Sequence, residues 1–280
     1  MASEVYVAWE RRRLSGMRYQ IRTDTMQKAH LRPRKQRAII ESMNTQDLDR
    51  LAYFLLKPFA KACKEFDLLT AGDRIAVAVS GGKDSRILLD LLLRYQERIP
   101  FDYTLVAVHV VGTDAGFADL RPQLKPWLES LPVEYHFAPL DLPPDEPQPM
   151  DCFRCAWNRR KALFLAAHEH GCNKLAFGHH ADDAAATTLL NIMFSGRVET
   201  MAPRVSFFDG TITLIRPMIY LAQKDLISYQ RVAGYQDENV CPQGLTSQRA
   251  RVQSMLQTFG REQAQIRANL WRLARQSMDF

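Results

Sequence analysis

Apolar side chains recur at helical spacing between residues 47 and 68, with Leu48, Leu51, Phe54, Leu55, Phe59 and Cys63 on one stripe. This predicts a helix capping the body that follows. Arg74–Val79 is short, rich in Val and Ile and bounded by Gly72 and Gly81, the pattern of a buried strand. Residues 85–96 read as a helix, 103–111 as a second strand, 118–131 as a helix with Pro122 near its start, and 133–137 as a third strand. The Pro-rich stretch 141–150 must be loop. Residues 152–170 predict a long helix ended by Gly171, followed by a strand at Lys174–Phe177 and a helix at 182–194. Segments 204–208 and 211–216 flank Asp209-Gly210 and predict a hairpin with a tight turn. Two helices complete the pattern, near 223–233 and 247–276. Strands alternating with helices predict an α/β fold: a doubly wound, mostly parallel sheet with helices on both faces. Ligands then belong at the carboxyl ends of the strands.

Ser80-Gly81-Gly82-Lys83-Asp84-Ser85 lies between the first strand and its helix. Adjacent glycines let a backbone turn sharply and bring N–H groups against phosphate oxygens. The start of the next helix adds partial positive charge. Lys83 can neutralise phosphate, and the hydroxyls of Ser80 and Ser85 can donate to it. A Walker A loop is excluded, because Val77 stands where that motif needs glycine and Asp84 where it needs Ser or Thr. Gly178-His179-His180-Ala181-Asp182-Asp183 also follows a strand and opens a helix. Its paired carboxylates suit Mg2+ held against phosphates, and Asp182 equally suits a helix N-cap.

The VSGGKDS run after a hydrophobic strand resembles the signature of the PP-loop (N-type) ATP pyrophosphatases, an adenine nucleotide alpha hydrolase-like group. The resemblance implies ATP held by Ser80, Gly81, Gly82, Lys83, Asp84 and Ser85, with Lys83 and Asp84 also catalytic. Members adenylate a carbonyl oxygen and release pyrophosphate, and a nucleophile then displaces AMP. The group has a similar Gly-His-x-x-Asp-Asp element near the ATP. That adds Gly178 and His179 as nucleotide contacts, and Asp182 and Asp183 as magnesium or base-orienting groups. It positions adenine near the end of the second strand, where His109 stands; a core or surface histidine is the alternative there.

Cys152-Phe153-Arg154-Cys155 is a Cys-x-x-Cys at a helix start, open to zinc, redox and iron–sulfur readings. Cys63 and Cys172 are expected in the core. Cys241 lies in a loop, ENVCPQG, a good place for a ligand. Three thiolates without a fourth suit a [4Fe–4S] cluster with one iron open, the alternative being an idle Cys241. The order SGGKDS, CFRC, GHHADD, IRPMIYLAQKDL (215–226), then a single Cys before SQR (247–249), resembles the tRNA 2-thiocytidine synthetase branch over roughly residues 45–265. The related 2-thiouridine branch usually carries extra zinc-ribbon pairs near its ends, which this sequence lacks. One departure stands out: Gly244 replaces the second cysteine of a pair the family often has. Arg159, one turn after Cys155, occupies a position where the family places a basic residue to hold base or phosphate; a solvated helix face is the alternative.

Charge adds a partner. The 280 residues carry a formal net charge of +6, yet residues 1–40 hold ten Lys/Arg against three acids, so the rest is near neutral. A basic arm over 1–44 is a common footprint of nucleic acid, and a solvated tail is the competing reading. A PP-loop domain with the cysteines is expected over 45–245 and a helical segment over 246–280. Arg249, Arg251, Arg261, Arg267, Arg272 and Arg275 could grip an RNA backbone. There is no apolar run of membrane-spanning length and no apolar stretch behind the N-terminal charges, which points to the cytoplasm and to no membrane partner.

Together these readings imply an ATP-, Mg2+- and [4Fe–4S]-dependent sulfurtransferase. It would adenylate the C2 oxygen of an anticodon-loop cytidine, position 32 of tRNA, and replace it with sulfur. Cys152, Cys155 and Cys241 would hold the cluster, while Asp182, Asp183 and Arg159 assist. Partners would be tRNA and a sulfur donor such as a cysteine desulfurase, with a homodimer left open. The alternatives are thiolation of a uridine or a small molecule, and a nucleotide-binding redox sensor without catalysis.

Overall fold

A computed structural model describes residues 46–143, 146, 150–236 and 248–276. The basic arm, Cys241 and Gly244 lie outside the described residues. The elements, in order, are α1 (Gln46–Glu65), β1 (Arg74–Ala78), α2 (Lys83–Gln96), β2 (Thr104–Val111), α3 (Arg121–Glu129), β3 (Glu134–Pro139) and α4 (Cys152–Glu169). Then follow β4 (Lys174–Ala176), α5 (Ala181–Ser195), β5 (Arg204–Phe207), β6 (Ile212–Ile215), α6 (Gln223–Ala233), α7 (Gln248–Thr258) and α8 (Gln263–Arg275). A short 3-10 turn at Thr113–Ala115, unmarked by periodicity, follows β2. No helix among the described residues is long and apolar enough to cross a membrane.

The six strands form one sheet in the order β3-β2-β1-β4-β6-β5, parallel except for β5 against β6. Alternation along each strand builds a core on both faces. Ile75, Val77 and Ala107 face a cluster with Phe59, Leu88, Leu91, Leu124 and Tyr229 from α1, α2, α3 and α6. Ala76, Val106 and Val108 face a second cluster with Leu163, Phe164 and Ala167 of α4. Cys63 and Cys172 belong to these cores, as expected; burial pushes both thiols up, that of Cys172 to about 11.

Two boundaries differ from the sequence pattern. The stretch 247–276 is two helices, because Gly260 takes φ +52 and opens a 3-10 turn at Gly260–Glu262. In the hairpin, Phe207 pairs with Ile212, so the turn holds four residues rather than a tight pair. Phe208, Asp209 and Gly210 all take positive φ there (54, 54 and 88), and Gly210 N–H and Thr211 N–H donate to the carbonyls of Phe207 and Phe208.

The amino-terminal ends of β1 and β4 are stapled by a buried ion pair, Lys174 Nζ to Asp73 Oδ2 at 2.6 Å. Asp73 also accepts from Thr70 N–H, Thr70 Oγ1 and Asn173 Nδ2. Burial pushes the Asp73 carboxyl up, but the bonds from Lys174, Asn173 and Thr70 outweigh it and hold it below the usual carboxylate range. Its contribution is therefore full at neutral pH and is lost as pH falls through that lowered value. Asp73→Ala strands a buried ammonium and is expected to cost about 3–5 kcal/mol in chemical denaturation at pH 7. Asp73→Asn should flatten the acid limb of stability against pH; an unchanged limb would exclude this staple as its source.

Candidate active site

In the sheet order the chain leaves β1 toward β2 on one side, while β4 lies on the other. The topological switch point, where two loops diverge over the strand ends, falls between β1 and β4. The loop after β1 carries Ser80–Ser85 and the loop after β4 carries Gly178–His180, so both sequence-predicted elements meet there.

The first loop is laced by its own hydroxyls. Ser80 N–H donates to Ser85 Oγ (3.1 Å), Gly82 N–H to Ser80 Oγ (3.3 Å), and Ser85 Oγ to the Gly82 carbonyl (2.9 Å). Gly81 takes φ +88, a conformation that favours glycine. Gly82 is the N-cap of α2 and brings no capping side chain, so the helix start is presented to a ligand by backbone alone. Lys83 Nζ pairs with Asp84 Oδ2 at 3.0 Å. The other oxygen, Asp84 Oδ1, is buried and makes no hydrogen bond. A buried carboxylate oxygen without a donor, beside a phosphate-type loop, fits a Mg2+ ion, which would satisfy it. A cleft of about 500 Å³ opens beside Lys83, lined by Gln223, Ile227, Gln230, Arg231 and Tyr235.

The second loop presses on the first. A Cβ on Gly178 would lie 3.0 Å from the Asp84 carbonyl oxygen and 3.2 Å from the Ser85 nitrogen. Both are backbone atoms, so only glycine fits without displacing the start of α2. His180, not Asp182, is the N-cap of α5. Asp183 completes the cap by accepting the His180 N–H at 3.0 Å, and its Oδ1 accepts Arg249 Nη2 at 3.0 Å. Asp182 Oδ2 instead caps the neighbouring helix α6 through the Gln223 N–H (2.7 Å), and its Oδ1 accepts Arg267 Nη1 (3.0 Å). Both carboxylates are thus held by arginines of α7 and α8. Burial pushes the Asp183 carboxyl up, yet His180 and Arg249 leave it below its ordinary value.

His179 accepts from Arg216 Nε at 3.4 Å. Burial, and then the Arg216 charge, push its pKa down to about 3, so the ring stays neutral. Arg216 is buried and also donates to the Ala202 carbonyl. Sequence reading passed over it; the signal was a lone arginine ending an apolar strand in IRPMIY.

His109 is buried on β2, and its Nδ1 lies 2.8 Å from the Val79 carbonyl, just before the first loop. A carbonyl only accepts, so Nδ1 carries the proton and Nε2 is left as an acceptor. Burial chiefly, with a smaller push from Arg159, holds this histidine below its ordinary value. Arg159 is half-buried, its guanidinium 5.7 Å from the Phe117 ring centroid. His109 thus bonds to the residue before the first loop and feels the charge of Arg159 on α4, the helix with the cysteines.

Cys152 and Cys155 stand in the first turn of α4, the former exposed and the latter half-buried. Asp151 is the N-cap: its Oδ1 accepts Arg154 N–H (2.7 Å) and its carbonyl accepts Cys155 N–H (3.0 Å). Arg154 donates to both carboxylate oxygens of the buried Glu146. Thiolates at a helix start are favoured by its dipole. An i, i+3 pair on one turn fits two ligands of a cluster, and the third candidate, Cys241, lies outside the described residues.

No family model matches the chain. Curated relatives do. The chain is 37% identical over 234 residues to the tRNA-cytidine(32) 2-sulfurtransferase of Anaeromyxobacter dehalogenans, covering 80% of this chain and 79% of the relative. It is 36% identical over 219 residues to that of Citrifermentans bemidjiense, with 75% and 85% covered. It is 34% identical over 223 residues to that of Bordetella avium, with 76% and 70% covered. Among solved structures, the U34-tRNA thiolase NcsA of Methanococcus maripaludis, described with its [4Fe-4S] cluster, aligns with a TM-score of 0.66 at 21% identity. That alignment covers 83% of this chain and 82% of NcsA, and it shows the same fold.

Gly178→Ala is expected to weaken ATP binding at least tenfold (about 1.4 kcal/mol) while the far end of the sheet stays protected in hydrogen exchange. Equal ATP affinity by calorimetry would refute the close contact between the two loops. Arg267→Ala leaves Asp182 without its ion partner and should lower stability by about 1–3 kcal/mol in denaturant unfolding.

Proposed function

The chain belongs to the tRNA-cytidine(32) 2-sulfurtransferase family, and we propose that it replaces the C2 oxygen of cytidine 32 in tRNA with sulfur, at the expense of ATP. The relatives that place it there are named as enzymes. The observation that carries the reading to this chain is the clamp at the switch point, where the Ser80–Ser85 loop and Gly178 meet over the strand ends.

In this reading the backbone N–H groups at the start of α2 and Lys83 bind the triphosphate, and Asp84 Oδ1 is the oxygen offered to Mg2+. The C2 carbonyl oxygen of the base attacks the α-phosphorus and pyrophosphate leaves. Sulfur at the sulfide level then adds at C2 and AMP departs with the former carbonyl oxygen. The transfer itself involves no net oxidation. A donor such as a cysteine desulfurase supplies sulfur as a persulfide, so two electrons from a thiol or other reductant must bring it to the sulfide level before each transfer. Lys83 stabilises charge developing on the leaving pyrophosphate. His109 keeps a neutral Nε2 acceptor toward the adenine side. Asp182 and Asp183 orient through their arginines, and Arg159 offers a cation to the activated base. Cys152, Cys155 and Cys241 would hold a [4Fe–4S] cluster, which supplies the sulfur-delivery chemistry when bound. C2 of a stacked, paired base is hidden, whereas an anticodon-loop base can be turned out. The basic arm and the exposed Arg251, Arg261 and Arg272 supply charge for the RNA backbone. Such chemistry belongs in the cytoplasm.

Pyrophosphate release from ATP is expected to require tRNA with cytidine at position 32. A transcript with uridine there should reduce it to the tRNA-free rate. Equal release with both transcripts, or release without RNA, would overturn the substrate assignment. Protein purified without oxygen should show broad visible absorbance that Cys152→Ala and Cys241→Ala each abolish; an unchanged spectrum in either variant counts against the ligand set.

A further inference from the structure

A second group of metal-type donors lies at the opposite end of the sheet from the ATP loop. Glu134 and His136 begin the edge strand β3, two residues apart and therefore on one face. His170 is the C-cap of α4 and leads into β4. The sequence gives no hint of this group, since 34 residues separate its two histidines.

The geometry is that of an assembled donor set. One ligand atom from each of Glu134, His136 and His170 lies within 4.8 Å of the other two. His136 Nε2 is 2.8 Å from Glu134 Oε1. The His136 and His170 rings stack with centroids 3.5 Å apart and planes 16° from parallel. Arg74, the first residue of β1, organises the group from behind. Its Nη2 donates to Glu134 Oε2 (2.5 Å) and its Nε to the His170 carbonyl (2.8 Å). The outer oxygen of Glu134 and the backbone of His170 are thus held by a second layer. Among the described residues, no other three His, Cys, Asp or Glu side chains converge in this way.

We propose that Glu134, His136 and His170 form a site for a borderline divalent cation of the Zn2+ class. Two imidazoles with one carboxylate are a common ligand set for zinc with an open position. Ligand atoms around a tetrahedral zinc at about 2.0–2.1 Å stand roughly 3.3 Å apart. Binding would turn the two imidazoles out of their parallel stack, so that each ring plane contains the ion, and draw the donor atoms in by roughly 1.5 Å. The hard cations Mg2+ and Ca2+ prefer all-oxygen shells and do not match two imidazoles. The bound ion would tie the edge strand β3 to the far end of α4, the helix whose first turn carries Cys152 and Cys155. It is independent of the sulfurtransferase reading.

The test uses the full-length protein with its cysteine-bound centre intact. Titration with Co2+ should give ligand-field bands saturating at one equivalent, and Zn2+ should displace them and raise the melting temperature. His136→Gln and His170→Gln should each lose the bands and the Zn2+-dependent shift, with the visible absorbance of the iron centre unchanged. Glu134→Gln, on the exposed edge, serves if a histidine variant melts early without metal. Absence of bands in the wild-type protein would overturn the proposal. So would bands that survive both histidine substitutions, or that disappear with Cys152→Ala instead.

Discussion

The backbone of Gly178 rests on the backbone of Asp84 and Ser85, at the one point of the sheet where consecutive connections leave in opposite directions. A parallel pair at such a point leaves a gap over its strand ends. Here two loops fill its floor, and they approach so closely that a single methyl group on residue 178 would meet main chain. The start of α2, with the buried Asp84 Oδ1 and the Lys83–Asp84 pair, sits beside that contact. The hydroxyls of Ser80 and Ser85 keep the loop in shape before any ligand arrives, so a phosphate meets donors already oriented.

Around this floor, arginines act as internal struts. Arg267 and Arg249 hold the two carboxylates that open α5, and Arg216 holds His179. Asp182 joins three elements through one side chain, since it begins α5, caps α6 and pairs with α8. The same C-terminal helix is tied to the end of α1 by Arg275 with Glu65 (2.6 Å), and Trp271 packs on Phe66 just beyond α1 and on Tyr220 between β6 and α6. Half of the C-terminal arginines that charge counting assigns to RNA are therefore engaged within the protein, and Arg251, Arg261 and Arg272 remain at the surface. The loop and helix start after β4 are consequently tied to the last two helices.

Much of this was readable in the chain. The first strand, its Gly-Gly loop and the following helix were legible because a short Val- and Ile-rich run and a helical pattern meet at an abrupt glycine pair. The sheet class followed from the alternation of strands and helices. Less was legible where one residue answers to a distant partner. Nothing local says that Asp182 caps α6 rather than its own helix, because the Gln223 N–H it needs is 41 residues on. Arg216 read as a strand end until His179 supplied its partner. The four-residue hairpin turn was hidden because Phe208, a bulky residue, adopts a positive φ that sequence rules reserve for Gly and Asn. The break at Gly260 was visible as a glycine, but helical periodicity continues on both sides of it.

The central claim is that this floor activates a tRNA base for sulfur, and the most direct measurement is the nucleoside profile of tRNA from a strain lacking the gene. Mass spectrometry should find 2-thiocytidine absent, restored by the wild-type protein and not by Lys83→Ala, with 2-thiouridines unchanged. Undiminished 2-thiocytidine in the deletion strain would contradict the account.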